Sequence, residues 1–108
     1  MKFKSLSIQE SLDVIEEGAL IIDVREESEY NQSHIENSIL IPLSRFDINE
    51  LNKNNIDNKK IIIHCRSGKR SKLAANILIN QNYIGEIYEM DEGIIGWIES
   101  KLLVKSNF

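Results

Sequence analysis

The chain's one cysteine, Cys65, stands in "IIIHCRSGKRS". It ends an apolar run, and the next six residues bring three cations, two serines and a glycine. A thiol that serves only as packing is a small hydrophobe and does not call for such company. A loop between a strand and a helix aims several backbone N–H groups at one point. The helix dipole adds partial positive charge there. Arg66, Lys69 and Arg70 add formal charge, and Gly68 supplies a position where positive φ is cheap and backbone comes close. A thiol in such a concavity ionises more readily than a free one. The thiolate is then both a nucleophile and an anion the loop holds. The same cradle suits an anionic leaving group or adduct. Cys65 is therefore the candidate nucleophile, and Arg66, Ser67, Gly68, Lys69 and Arg70 form the candidate anion-binding loop. Ser67 and Ser71 offer hydroxyls, and Ser71 reads equally well as the N-cap of the next helix. Arg66 is placed to meet substrate from solvent. Arg70 is placed to hold the ring's shape through loop carbonyls or a carboxylate.

Asp23 ends another apolar run, "LIID". It reads as a strand-end cap or as a buried hydrogen-bonding post beneath the loop, since a buried carboxylate needs partners. Arg25 is expected to pair with Glu29 or another acid. His34 and His64 do not form a metal pair, and one cysteine without close Cys/His spacing makes a zinc site improbable. His34 is expected to bond backbone, and His64 to lie within a buried strand. Trp97, among Ile94, Ile95 and Ile98, reads as core or pocket wall.

Such a loop must be positioned by a strand before it and a helix after it, and the rest of the chain supplies both kinds of element in alternation. "KFKSL" is a short strand. Ser7 caps a helix, with Glu10 completing a capping box, and that helix carries Ile8, Leu12 and Ile15 to a stop at Gly18. "ALIIDV" and "KIIIHC" are near-continuous apolar runs, as in strands of a parallel sheet buried on both faces. "EESEYNQS" is a short polar helix or turn. "SILIPL" is a strand closed by Pro42, and "SRFDINEL" a short helix. "NKNNIDNKK" is a surface loop. "SKLAANILINQN" is a helix with Leu73 and Ile77 along one side, "GEIYEM" a last strand and "GIIGWIESKLL" a closing amphipathic helix. The pattern predicts a three-layer α/β domain with a mainly parallel sheet. Sites in such sheets lie beyond the carboxyl ends of the strands, which is where "HCRSGKR" falls.

The totals bound the function. A chain of 108 residues suits one domain. The net charge of −4 argues against a nucleic-acid partner. One cysteine excludes an internal disulfide framework. The N-terminus lacks the apolar core of a signal peptide, and no run approaches the ~18 apolar residues of a membrane span. The expected setting is a reducing cytoplasm with no membrane contact.

Three stretches together resemble the single-domain rhodanese-like sulfurtransferases. They are "LIIDVREESEYNQSHIENSILIPL", "IIIHCRSGKRSKLAANIL" and "IYEMDEGIIGW". They are similar to the family's Asp-Val-Arg, Glu-Tyr and His-Ile pattern, its Cys-Arg-x-Gly-x-Arg-Ser loop and its closing Gly-Gly-x-x-x-Trp stretch, and they occur in the family's order. The resemblance implies one rhodanese-like domain over residues 1–108, with a five-stranded parallel-type sheet flanked by helices. It implies that Cys65 takes the outer sulfur of a donor such as thiosulfate as a persulfide and hands it to cyanide, a thiol or a partner protein. No cofactor is called for. Cysteine desulfurases, thioredoxin-like proteins and sulfur-carrier proteins are the partners it suggests. The CRSGKRS form also resembles rhodanese domains attached to adenylating enzymes that load sulfur carriers, so a relay loaded by a protein donor is the alternative. Phosphatase members of the family carry a longer loop. The four residues between Cys65 and Arg70 therefore favour sulfur transfer over phosphatase or arsenate-reductase activity. The chain departs from the family where Ser33, Asn37-Ser38, Asn82 and Glu92 replace small or glycine residues. Asn82 is a mild change, because asparagine tolerates left-handed backbone. Glu92 is expected to disturb the thiol or repel anionic donors if it faces the cradle.

Overall fold

A computed structural model describes residues 2–108. At its centre lies a five-stranded sheet of order β1-β5-β4-β2-β3, with every pairing parallel. The strands are β1 (Lys4–Leu6), β2 (Leu20–Asp23), β3 (Ile39–Leu40), β4 (Ile61–His64) and β5 (Ile87–Met90). The helices are α1 (Ile8–Glu16), α2 (Glu27–Gln32), α3 (Ile48–Asn54), α4 (Lys69–Asn80) and α5 (Gly93–Glu99), with a 3-10 turn at Leu43–Arg45. This is the parallel α/β architecture that the alternating pattern predicts. Among the described residues, no helix is long and apolar enough to cross a membrane.

Parallel neighbours in register share a face, and successive residues alternate between faces. Ile22 pairs with Ile63, and Ile63 with Glu89. These side chains, with Val24, Ile61 and Cys65, lie on the face that packs against Ala74, Ala75 and Leu78 of α4 and Leu51 of α3. Asp23 pairs with His64, so these two occupy the opposite face. There Ile21, Ile62 and Met90 pack against Ile8 of α1 and Trp97 of α5. The central strand β4 is buried along its whole length, which its unbroken isoleucine run requires.

Local chemistry sets several boundaries. The capping box at α1 is complete. Ser7 Oγ accepts from the Glu10 N–H at 3.1 Å, and Glu10 Oε1 accepts from the Ser7 N–H at 2.9 Å. Gly18, at φ +104°, follows the helix end. The expected single helix over "SRFDINEL" is instead two pieces. The 3-10 turn ends at Arg45, and α3 starts only after Asp47, whose carboxylate caps the Glu50 N–H at 2.8 Å. That helix then runs through Asn52, Lys53 and Asn54, which "NKNNIDNKK" places in the loop. The buried side of α4 also differs from expectation. Ser71, Ala74, Ala75 and Leu78 face the sheet, while Leu73 is 51% exposed. Small residues allow the helix to lie close to the sheet, and Ile77 borders the core rather than centring it.

The departures from the family pattern sit in backbone that accepts them. Asn37 and Asn82 take φ of +69° and +62°, the left-handed region that asparagine tolerates better than most residues. Ser33 is extended, with φ −162°, and Glu92 is right-handed, with φ −87°. Neither position demands glycine. The Glu92 side chain is exposed and lies over Gly96 beside Ile8, on the α1 side of the sheet.

Candidate active site

Cys65 follows β4 directly, at the carboxyl edge of the sheet, and is only 1% exposed. Its sulfur is enclosed by the loop it begins. The Gly68 N–H donates to Sγ at 3.2 Å and the Ser71 N–H at 3.4 Å. Both amides belong to the start of α4, so they and the helix dipole favour negative charge on sulfur. Gly68 holds the turn with φ +100°, and a Cβ there would collide with the Asp91 carbonyl oxygen. The first turn of α5 clamps the loop from the other side. The Ile94 N–H donates to the Cys65 carbonyl at 2.9 Å and the Ile95 N–H to the Arg66 carbonyl at 3.2 Å. Gly93, at φ +62°, is needed for that approach, since a Cβ would meet both carbonyls.

The loop cations divide by role. Arg66, Ser67 and Lys69 are exposed, and among the described residues neither Arg66 nor Lys69 makes an ion pair. Arg70 turns aside to Glu29 of α2, in two parallel bonds of 2.7 and 2.9 Å. The Arg70 guanidinium outweighs partial burial and holds the Glu29 carboxyl down at about 2, from an ordinary 4.5. Glu29 in turn raises Arg70, with a smaller contribution from Cys65. Arg70 thus bonds a carboxylate, ties α4 to α2 and fixes the far end of the loop.

Asp23 is fully buried and is occupied by Arg25. It accepts from the Arg25 backbone N–H at 3.0 Å and from Nη2 at 2.7 Å. Arg25 therefore pairs with Asp23, two residues away, and not with Glu29. Its Nη2 also donates to the Ser33 carbonyl at 2.7 Å. Asp23 reaches the loop only through His64, whose Nε2 lies 3.6 Å away and whose Nδ1 donates to the Cys65 carbonyl at 3.2 Å. Burial pushes the His64 pKa below the ordinary histidine value, against the pull of Asp23. His64 supports backbone on the face opposite the Cys65 side chain. His34 stacks on Tyr30, and its Nδ1 donates to the Tyr30 carbonyl at 2.9 Å. Ser71 is not the N-cap of α4. Gly68 holds that position, and Ser71 lies three residues into the helix. A cavity of about 430 Å³ lined by Ile48, Asn52, Tyr83, Ile84 and Gly85 does not include Cys65. It opens before β5, near the amino end of that strand.

A model of the rhodanese-like domain matches residues 7–100. The chain belongs to the rhodanese-like domain family. Thiosulfate sulfurtransferase GlpE of Haemophilus influenzae is 26% identical over 109 aligned positions, covering 100% of both chains. YrkF of Bacillus subtilis, whose name proposes a sulfur carrier, is 40% identical over 70 residues, which is 63% of this chain and 36% of that protein. The chain thus spans about a third of YrkF. The crystal structure of a rhodanese-related protein from Thermoplasma volcanium matches with a TM-score of 0.79 at 30% identity, over 95% of this chain and 98% of that one.

Sequence reasoning passed over two residues of this rhodanese-like site. Glu89 of β5 is fully buried on the Cys65 face. Ser71 Oγ donates to its Oε2 at 2.7 Å, and Lys72 Nζ lies 3.0 Å from its Oε1. Lys72 also reaches Asp91 at 2.6 Å. Burial opposes the Lys72 charge, but Asp91 and Glu89 outweigh it and raise its pKa. The available signal was a carboxylate within the apolar strand "IYEM", two residues from Ile87 and so on the same buried face.

Proposed function

We propose that this rhodanese-like chain is a sulfurtransferase that carries sulfane sulfur on Cys65. The observation that supports it best is the pair of helix-start amides, Gly68 and Ser71, directed at a sulfur enclosed by its own loop. In the first half-reaction the Cys65 thiolate attacks the outer sulfur of thiosulfate. A new S–S bond forms on Cys65, the old one breaks, and sulfite leaves with its electron pair. In the second, cyanide or a thiolate attacks the terminal sulfur, and Cys65 leaves as thiolate. This is covalent catalysis in two displacements. Neither needs a general base once the thiol is ionised, and sulfite leaves without a general acid. Arg66 and Lys69, exposed on the rim and without acidic partners among the described residues, are placed to receive the anionic donor. The supporting residues Asp23, Ser71 and Arg70 hold the loop.

Free Arg66 and Lys69 suit equally an acidic protein surface. That favours, as a second reading, a relay loaded by a protein persulfide such as that of a cysteine desulfurase, with a thioredoxin-like or sulfur-carrier protein as acceptor. Thiocyanate formation from thiosulfate and cyanide, abolished in Cys65→Ser, is the expected result. Sulfur uptake from a protein persulfide alone establishes the relay. Turnover of an aryl phosphate or arsenate instead, lost in the same variant, overturns both.

A further inference from the structure

A carboxylate buried beside a nucleophilic thiol is expensive to desolvate, and the two displacements above make no use of Glu89. Lys72 does not account for it, because Lys72 is half-exposed and already held by Asp91 at 2.6 Å. The Ser71 hydroxyl connects Glu89 to the sulfur. Ser71 Oγ has one proton and three neighbours: Glu89 Oε2 at 2.7 Å, the Gly68 carbonyl at 3.0 Å and Cys65 Sγ at 3.7 Å. With Glu89 ionised, the Ser71 proton lies on the short bond to the carboxylate, since that bond is charge-assisted. The Oγ lone pair then faces the thiol, whose S–H donates to it. Cys65 is 1% exposed, and the Ser71 hydroxyl at 3.7 Å is the side-chain acceptor within reach of its proton.

We propose that Glu89 is a positioning residue that accepts the Cys65 thiol proton through the Ser71 hydroxyl. The S–H bond breaks as an Oγ–H bond forms, and the original Oγ–H bond breaks as an Oε2–H bond forms. The proton ends on Glu89, and no electrons are exchanged with any other group. The Ser71 hydroxyl is then turned toward sulfur and joins the Gly68 and Ser71 amides as a donor to the thiolate. Lys72 Nζ lies 3.0 Å from Oε1, the carboxylate oxygen that does not bond Ser71. The titratable and charged groups facing this unit are Cys65 from the loop after β4, Lys72 from α4 and, through Lys72, Asp91 after β5. The register neighbours Ser5 of β1 and Ile63 of β4 carry no charge. The proposal rests on the reading of Cys65 as the reacting group, but not on the identity of the donor.

The test is the pH profile of Cys65 alkylation by iodoacetamide in the whole chain, which needs no sulfur donor. In Glu89→Gln the profile is expected to move to higher pH by about one unit or more, the scale at which a neighbouring ionisable group acts. Ser71→Ala, which keeps the carboxylate and cuts the link, is expected to move it the same way. The double variant should add little to either, because both lie on one path. Glu89→Asp should restore part of the shift. A carboxylate acting only as a repelling charge gives the opposite sign in Glu89→Gln, and a purely structural one leaves the profile in place. Either result overturns the proposal. If Glu89→Gln does not fold, Ser71→Ala decides alone, and an unmoved profile there is fatal. Persulfide formation with an unmoved profile removes the proton path through Ser71 to Glu89 and leaves sulfur transfer standing. A moved profile with no sulfur uptake does the reverse.

Discussion

Cys65 takes its environment from backbone more than from the cations around it. Of the three loop cations, Arg70 is spent on Glu29, and its two parallel bonds make it a brace for the loop's end. That brace carries a pH signature. The Glu29 carboxyl is held at about 2 in the fold against 4.5 when free. Its contribution to stability is therefore complete above 4.5 and is lost as pH falls toward 2. Chemical denaturation should show Glu29→Gln less stable than the native chain well above 4.5, with the gap closing near 2. A gap that persists unchanged at the acid end contradicts the assignment. Arg70→Lys should weaken the brace without removing the charge, because an ammonium cannot make the paired bonds of a guanidinium. Gly68 is the second fixed point. Gly68→Ala brings both a strained positive φ and a collision with the Asp91 carbonyl, and should destabilise by more than about 1 kcal/mol. Denaturation midpoints measure this directly.

At the scale of elements, α4 and α5 bring their first turns to the same loop, one toward sulfur and one toward the Cys65 and Arg66 carbonyls. Which face of α4 meets the sheet decides whether Ser71 lies under the sulfur. The i, i+4 pair Leu73 and Ile77 suggests one face, whereas the alanines at 74 and 75 define the real one. Leu78→Ala, at a fully buried position, is expected to cost about 2–5 kcal/mol. Leu73→Ala, on the exposed side, should stay within about 0.5 kcal/mol. Comparable losses in the two variants would contradict this packing. The same contrast shows what the sequence discloses. Ser7 and Glu10 are legible because a capping box is closed by four consecutive residues. The apolar runs of β2 and β4 are legible because two-sided burial leaves no polar alternation. Asp47 as the cap of α3 escaped notice because the 3-10 turn before it reads as more helix. Leu73 misled because hydrophobicity marks the buried face poorly when close approach to a sheet favours alanine.

In the whole molecule, two sheet faces divide the labour around the loop. One face brings Cys65, Ser71 and Glu89 together, and the other stacks Asp23, Arg25 and His64 beneath the loop's backbone. The loop itself was legible from "HCRSGKRS", because strand end, cysteine, glycine and helix start are contiguous. Glu89 was not, because its meaning depends on β5 lying beside β4 and under α4, a contact that no local pattern encodes. From the sequence, Arg25 is left to Glu29 or another acid, and Asp23, its partner in the fold, is not singled out. Glu29 was the obvious acid within reach, but the fold commits it to Arg70. Of these contacts, only the Gly68 and Ser71 amides and the Ser71 hydroxyl reach the Cys65 sulfur. The chemistry of that sulfur is tested most directly by the intact mass of the protein after incubation with thiosulfate. The expected result is a gain of one sulfur atom, reversed by cyanide or a reducing thiol and absent in Cys65→Ser. A native chain that gains no sulfur from thiosulfate or from a protein persulfide, or a Cys65→Ser variant that still gains it, would contradict the role assigned to Cys65.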